Sequence, residues 1–263
     1  MKKLLFLMVL IIGIIAVIGA CSKSDDSSAT STATTGGCGN LTEVTTSCSS
    51  TPSGSITGID NQTLTGVFSK IHYYGIVGTS GVDNTTDCIS NESLLSGMAS
   101  SIGRPSGALG LIMNTAVTSS SSMSARNIWY SDTSCSTEIA RYNNGYINVA
   151  VGDNVTGLTA TVGSKTYSTT ATKVTYDMNC FEMKASNDAG VTWLKTFISG
   201  VSLEPVVGTT SYCRNSAGAR YALMHLDNDT FGSGAYGMGL YWEEGSSQPT
   251  AWSSSTDTMT FLP

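Results

Sequence analysis

The side chains that could perform covalent or acid–base chemistry in this sequence are few and widely spaced. The chain contains two histidines, His72 and His225, and each lies in an apolar stretch typical of a β-strand. A serine hydrolase needs a histidine base beside its nucleophile, and neither a G-x-S-x-G nor an S-x-x-K motif is present. We therefore predict no catalytic residue, no enzymatic activity and no cofactor. A cell-envelope hydrolase is the least favoured alternative.

Two further segments match ligand-binding motifs only in part. Residues 232–237 read G-x-G-x-x-G, but the sequence continues with the alternation of a strand, whereas a dinucleotide fingerprint requires a helix at that point. Asp227 and Asp229 are weak candidates for calcium ligands, because Phe231 stands where an EF-type loop needs a third oxygen ligand. We expect these two acids to form a turn and predict no metal site.

The first twenty residues have the layout of an export signal. Two lysines precede an uninterrupted apolar run over residues 4–20, which ends in small residues suited to a signal peptidase. The sequence Ile18-Gly19-Ala20-Cys21 resembles the lipobox of bacterial lipoproteins. That resemblance implies that residues 1–20 are a removed signal peptide and that Cys21 is the lipidation site, carrying diacylglycerol and a further acyl chain such as palmitate. An uncleaved transmembrane anchor is the alternative.

The residues after Cys21 predict how the protein is held in the cell envelope. Ser22 stands where the inner-membrane retention signal of bacterial lipoproteins places aspartate, so the resemblance implies the outer membrane. Residues 22–37 contain no large apolar side chain. They predict a flexible tether with a reach of about 20–25 Å. The domain organisation is then a signal peptide at 1–20, a lipidated and tethered segment at 21–37 and a folded domain at 38–263.

The composition excludes some partners. The formal charge is −6 for the whole chain and becomes −8 once Lys2 and Lys3 are removed with the signal. An acidic surface argues against binding to nucleic acid or to anionic lipid headgroups. The expected partners are the membrane, through the lipid anchor, and a protein, a glycan or an apolar ligand.

The remaining cysteines predict a disulfide-bonded domain. After Cys21 the chain contains Cys38, Cys48, Cys88, Cys135, Cys180 and Cys213. An even number of cysteines in an exported chain is typical of a disulfide framework, whose connectivity the sequence leaves open. From proximity in the sequence we predict the pairs Cys38–Cys48, Cys88–Cys135 and Cys180–Cys213.

The periodicity predicts an all-β fold, mainly an antiparallel sandwich or barrel, with one or two short helices. Apolar residues alternate with polar ones over 174–180, and the slip in this alternation after Cys180 indicates a bulge or a bend at Cys180. Asn143-Asn144-Gly145 predicts a hairpin turn, with further turns at 152–154 and 163–164. Further strands are expected at 64–77, 107–117, 126–131, 219–227, 235–243 and 257–262. One helix is expected after a cap at Ser90 or Asn91, and a second after a cap at Asn187 or Asp188, although the second segment could instead be a strand.

Five aromatic residues near predicted strand ends are weak candidates for a ligand site: Tyr73, Tyr74, Trp129, Tyr130 and Trp242. They would line a cleft or a glycan platform, although core packing is their more common role. The preferred function is therefore a lipid-anchored envelope protein with a non-enzymatic binding, adhesion or structural role. Residues 129–135 and the meander after them are similar to strand patterns of lipocalins, but the G-x-W signature is missing. This resemblance implies, as the alternative, a barrel that binds an apolar ligand.

Overall fold

The computed structural model describes residues 37–44, 51–69, 88–162, 165–197, 201–214, 218–227, 239–252 and 257–261. The strands are β1 (Thr42–Glu43), β2 (Ser55–Ile59), β3 (Gln62–Thr65), β4 (Val67–Ser69), β5 (Cys88–Ile89), β6 (Gly110–Ser119), β7 (Ser122–Tyr130), β8 (Glu138–Val162), β9 (Lys165–Ala185), β10 (Thr210–Arg214), β11 (Ala219–Asp227), β12 (Gly239–Gly245) and β13 (Asp257–Phe261). The helices are α1 (Glu92–Ile102) and α2 (Asp188–Phe197). The predicted all-β, antiparallel fold with two short helices is confirmed.

Eight strands pair into a closed ring. Antiparallel ladders join β4, β6, β7, β8, β9, β11, β12 and β13 in that order, and β13 pairs with β4. Strand β10 continues the line of β11 along β9, and β1 is added outside β10. Neighbouring strands are mostly consecutive along the chain. An eight-stranded ring of this kind has an interior about wide enough for side chains or for one small ligand.

The interior of the ring is filled at one end by an apolar cluster. Its members come from strands all around the ring, among them Phe68, Val117, Val174, Met224 and Trp242. These residues therefore define the inner face of the sheet. The β2–β3 hairpin adds Ile56, Ile59 and Leu64 to the same cluster, and all three side chains are fully buried. This end of the interior is closed by protein side chains.

The other end of the inner face is covered by the two helices. Leu95 and Ile102 of α1 pack with Trp193 and Leu194 of α2 onto a second apolar cluster that includes Trp129. Trp193 also donates its indole N–H to the carbonyl of Ile102 at 2.8 Å. Of the helices in the described part of the chain, none is long and apolar enough to cross a membrane.

Both predicted helices are present, and of the two cap residues considered for each, Asn91 and Asn187 are the caps. The side-chain oxygen of Asn91 accepts hydrogen bonds from the backbone N–H groups of Ser93 and Leu94. The side-chain oxygen of Asn187 accepts one from Gly190 at 3.0 Å. Each asparagine thus satisfies backbone donors that have no partner within the first turn.

The predicted turn at Asn143-Asn144-Gly145 is wrong, and so is the turn at 152–154. Both lie within β8, a single strand of 25 residues. Asn143 pairs with Arg126 of β7 on one side and with Glu182 of β9 on the other, so its backbone is held in the middle of the sheet. Register shifts along β8 absorb the turn-forming residues. The predicted turn at 163–164 lies outside the described residues, between Val162 and Lys165, which pair with each other.

The predicted irregularity near Cys180 is confirmed. Residues Gly145 and Ile147 of β8 are two apart, but their partners on β9, Cys180 and Asp177, are three apart. One extra residue is therefore accommodated in β9 just before Cys180, as in a β-bulge.

Two of the three predicted disulfide pairings are wrong. Cys38 is bonded to Cys213, 175 residues away, which excludes both Cys38–Cys48 and Cys180–Cys213. The predicted pair Cys88–Cys135 is confirmed, and Cys180 is also disulfide-bonded. Cys48, like Cys21, lies outside the described residues. The reason for the error is that β1 adds to the edge of β10 and so brings the start of the domain to Cys213.

Candidate ligand-binding cleft on the outer face

A row of polar side chains crosses the outer face of the ring. The sheet ladders place five residues directly opposite one another on β6, β7, β8, β9 and β10: Asn114, Arg126, Asn143, Glu182 and Tyr212. Asn114, Asn143 and Glu182 are buried although they face away from the interior. Arg126 donates from Nε to the side-chain oxygen of Asn114 at 2.7 Å. The polar side chains of this row are therefore largely buried and hydrogen-bonded, unlike those of a strand face that is fully exposed to solvent.

Arg141 fixes the carboxylates beside this row. Its Nε and one terminal nitrogen donate to the two oxygens of Glu138 at 2.9 and 2.6 Å. Its other terminal nitrogen donates to Oε1 of Glu182 at 3.0 Å. Burial lowers the pKa of Arg141, but the two carboxylates outweigh it and hold that pKa above its ordinary value. The guanidinium remains charged and orients Glu182 across the strands.

These side chains border a cleft with a volume of about 320 Å³. The lining residues are Thr51, Arg126, Ile128, Arg141, Asn143, Glu182, Thr210 and Tyr212, and we call this site the outer cleft. The volume is at the lower end of the range of small-molecule sites. The lining combines one aromatic ring, two guanidinium groups, a carboxylate and an amide. Such a surface offers both donors and acceptors to a polar ligand.

A second polar contact joins the β2–β3 turn to the ring. Asp60 and Asn61 form this turn with positive φ angles. Oδ2 of Asp60 lies 2.5 Å from Nδ1 of His225 and accepts the backbone N–H of Leu226 at 3.0 Å. The hydroxyl of Thr170 donates to Oδ1 of Asp60 at 3.1 Å. This hydroxyl thus contacts the aspartate and not the imidazole.

The aromatic residues singled out from the sequence are not brought together in one cleft. Trp129 is buried in the cluster under the helices, whereas Trp242 is buried in the cluster that contains the β2–β3 hairpin. Tyr130, at the end of β7, is half-buried. Tyr73 and Tyr74 lie outside the described residues. Of the two calcium candidates, Asp227 ends β11 and Asp229 lies outside the described residues.

Sequence reasoning missed most residues of the outer cleft. Arg141 and Glu182 are 41 positions apart, and only the pairing of β8 with β9 brings them together. Asn143 was assigned to a turn, which removed it from the sheet. A usable indication was present: the charged residues at 138, 141 and 182 lie in segments whose pattern is that of strands.

No protein-family model matches this chain, and no curated protein matches it in sequence. The geometry of the described residues is therefore the basis for the functional proposal.

Proposed function

We propose that this chain is a lipid-anchored lipoprotein of the cell envelope, in the outer membrane, whose non-enzymatic role is to bind a small polar ligand in the outer cleft. The observation that carries the proposal is the pairing of Arg141 with Glu182 beside the ring of Tyr212. Burying a charge costs desolvation free energy unless the charge is paired, and such a cost is often accepted at a functional site. A buried carboxylate that lines a cleft is a group that a ligand donor can reach.

The chemistry of the outer cleft suits a sugar or a short peptide. Oε1 of Glu182 is engaged by Arg141, and the other oxygen of this carboxylate is an acceptor for a ligand hydroxyl or amide. Tyr212 is half-buried in the cleft lining and provides a flat apolar surface beside these polar groups. Aromatic rings with one wet edge are well suited to amphipathic ligands. A glycan fragment is the ligand class that uses both features.

The interior offers less support for the alternative, an apolar ligand inside the ring. The end of the interior beside the β2–β3 hairpin is occupied by Ile56, Ile59 and Leu64, which are buried against Val174 and Met224. An apolar ligand at that end would have to displace the hairpin. That displacement would expose three large apolar side chains, each worth about 1.5–3 kcal/mol of burial.

The disulfide Cys38–Cys213 joins the residue that follows the proposed tether to the folded domain. Cys38 is buried in the cluster under the helices. Gly37, assigned to the tether from its sequence, already accepts a hydrogen bond from the backbone N–H of Glu204 at 2.9 Å. A lipid on Cys21 would therefore hold the domain by the end of the ring that the helices cover.

The test is a titration of glycan fragments and short peptides into the purified, lipidated protein, followed by calorimetry. For a ligand that binds the wild type, we expect Glu182→Gln and Tyr212→Ala each to weaken binding about 10- to 100-fold, as the loss of a charge-assisted hydrogen bond or of a stacking surface does. Glu204→Gln is the matched control, because Glu204 is exposed and pairs only with Lys195 among the described residues. Unchanged affinity in both cleft variants would contradict the proposal.

A further inference from the structure

The inner face of the ring carries a belt of polar residues between its two apolar clusters. The belt consists of Thr115, Asn127, Asn144, Arg220 and Glu244. Each is two residues along its strand from a member of a cluster or from a residue packed against one, so each shares the inner face with that residue. Arg220, for example, precedes Ala222 by two and pairs with Tyr176. A polar belt inside a ring of strands has to be satisfied by internal partners, by water or by a ligand.

Arg220 is the member whose guanidinium makes an ion pair but no hydrogen bond among the described residues. This arginine is only 5% exposed. Its nearest acceptor is Oε1 of Glu244, and the distance from Nε is 3.8 Å, which is beyond hydrogen-bond length. Within the described part of the chain, no acceptor lies at hydrogen-bond distance from its guanidinium. A buried guanidinium in this condition is unfavourable.

Glu244 forms an ion pair with Arg220 through Oε1, but its other carboxylate oxygen is engaged by a different residue. The hydroxyl of Tyr176 donates to Oε2 of Glu244 at 2.5 Å, and the indole N–H of Trp242 donates to the oxygen of Tyr176 at 3.2 Å. This series of hydrogen bonds directs Oε2 of the carboxylate toward the aromatic side chains of the interior. The terminal nitrogens of Arg220 are left available to another acceptor.

Solvent reaches the belt although it lies inside the ring. Asn127 and Asn144 are half-buried rather than buried, and Ala125 beside them is half-buried as well. The cluster residues on either side, Tyr142 and Tyr146, are buried. At the level of the belt, Asn127 and Asn144 are therefore more exposed than the cluster residues on either side.

We infer that Arg220 is the anion-binding group of an interior site for a small molecule bearing a carboxylate or a phosphate, with the side-chain amides of Asn127 and Asn144 as further hydrogen-bond donors. The planar guanidinium matches both oxyanions with two parallel hydrogen bonds. Tyr146, Tyr176 and Trp242 contact one another with ring centroids 5.1–5.6 Å apart; Tyr176 meets the other two rings edge-on, and Tyr146 and Trp242 are tilted. These rings give the organic part of the ligand an apolar wall.

This site is separate from the outer cleft. Arg126 and Arg141 lie on the outer face of β7 and β8, whereas Asn127 and Asn144 are their inner-face neighbours on the same strands. The proposal for one site can therefore be contradicted by experiment without affecting the proposal for the other. A ligand that shifts the signals of Asn127 and Asn144 reports on the interior, and one that acts through Glu182 and Tyr212 reports on the outer cleft.

The test uses the purified, lipidated protein and two series of probes, inorganic phosphate with simple phosphate monoesters and acetate, succinate and benzoate. Binding is measured by calorimetry, and the side-chain amide signals of Asn127 and Asn144 are followed by NMR. We expect saturable binding in one series, which identifies the oxyanion. We expect Arg220→Gln to weaken it at least tenfold and Arg220→Lys, which keeps the charge but loses the planar fork, to weaken it by a similar factor.

Arg214→Gln is the matched control, because it removes the same charge from an exposed position of the neighbouring strand β10. It should leave the affinity within twofold of the wild type. Circular dichroism checks that each variant is folded. The inference is overturned if no probe binds the wild type below 10 mM (an affinity of about −2.7 kcal/mol), or if a probe that binds does not shift the amide signals of Asn127 and Asn144. Equal affinity of Arg220→Gln and the wild type would overturn it as well.

Discussion

Asp60 and His225, 165 positions apart, are joined by a contact of 2.5 Å between Oδ2 and Nδ1. Asp60 lies at the tip of the β2–β3 hairpin and His225 lies in β11 of the ring. The hairpin carries three of the residues that fill the interior. The pair therefore holds the tip of the hairpin against the ring, while the apolar side chains of the hairpin occupy the interior.

We expect Asp60→Asn to lower the free energy of unfolding by about 1–3 kcal/mol, because it weakens several hydrogen bonds to one buried carboxylate. Burial raises the pKa of Asp60, but the hydrogen bonds from His225 and Leu226 outweigh burial, and the net pKa lies below its ordinary value. A depressed pKa contributes stability that is present above the unfolded value, about 3.9. That stability is lost as the pH falls through the folded value.

Urea unfolding at several pH values between 2 and 7, spaced about one unit apart around the unfolded carboxyl pKa, measures this effect. The wild type should lose its advantage over Asp60→Asn as the medium becomes more acidic. Asp153→Asn, at an exposed position of β8, is the matched control and should change stability by less than about 0.5 kcal/mol. A constant difference between wild type and Asp60→Asn over the whole range would contradict the linkage.

His225→Asn should reduce stability without removing the binding function, because His225 positions Asp60 and lies apart from the outer cleft. The pairing of an aspartate with Nδ1 of a histidine also occurs in hydrolases, so the variant discriminates between the two functions. Thermal unfolding and ligand titration should be measured on the same preparation. The proposal of a non-enzymatic binding protein would be wrong if the variant kept its fold and lost an identified hydrolytic activity.

Gly190→Ala should destabilise the protein, by about 1–3 kcal/mol for an overpacked contact. A Cβ atom at this position would lie 2.4 Å from the carbonyl oxygen of Ile139, so α2 would have to move away from β8. Gly97→Ala in α1 is the matched control, because a Cβ atom there meets nothing within 4 Å. That substitution should instead stabilise the helix by about 0.5–1 kcal/mol. Denaturation midpoints that shift in the same direction would refute the close packing of α2.

The secondary structure could be predicted where one local rule was sufficient. Asn91 and Asn187 begin the two helices because each side chain satisfies the first backbone donors. Asn143-Asn144-Gly145 was misjudged because two neighbouring strands hold this tripeptide extended on both sides. Its asparagines then serve opposite faces, with Asn143 in the outer polar row and Asn144 in the inner belt. A turn rule considers only neighbours in sequence, so it does not include the pairing of β8 with β7 and β9.

The residues of the two proposed sites could not be predicted for the same reason. Glu182 and Arg220 look like ordinary strand charges until the closure of the ring places one in a cleft and the other in the interior. The aromatic residues could be selected from the sequence, because aromatic side chains are common both in ligand sites and in apolar cores. Trp129 and Trp242 then proved to belong to two separate apolar clusters.

We predict that the partner of Cys180 is Cys48. Cys180 is disulfide-bonded, while Cys38, Cys88, Cys135 and Cys213 are bonded to one another, and Cys21 is assigned to the lipid. Mass spectrometry of a non-reduced digest should find the peptide pair that contains Cys48 and Cys180, and thiol titration of the denatured protein should find no free cysteine. Two or more free thiols would contradict the three-disulfide framework.

The confirmed pair provides a quantitative check of the same framework. Replacing both Cys88 and Cys135 by serine opens a loop of 47 residues. In the chain-entropy model this lowers the free energy of unfolding by about 4 kcal/mol. Chemical denaturation of this variant should therefore show a much lower midpoint than that of the wild type. A variant that matched the wild type would indicate that the bridge adds little constraint to the unfolded chain.

The membrane anchor is tested by Cys21→Ser. Each buried methylene of an acyl chain contributes about 0.8 kcal/mol, and two chains hold a protein stably on a bilayer whereas one does not. Without the thiol we expect either an unprocessed precursor or a protein that leaves the membrane fraction, as detergent partitioning and intact mass would show. Ser22→Asp is the matched control: it should remain lipidated but move from the outer to the inner membrane. A wild-type mature chain whose mass shows no acyl group would refute the lipoprotein proposal.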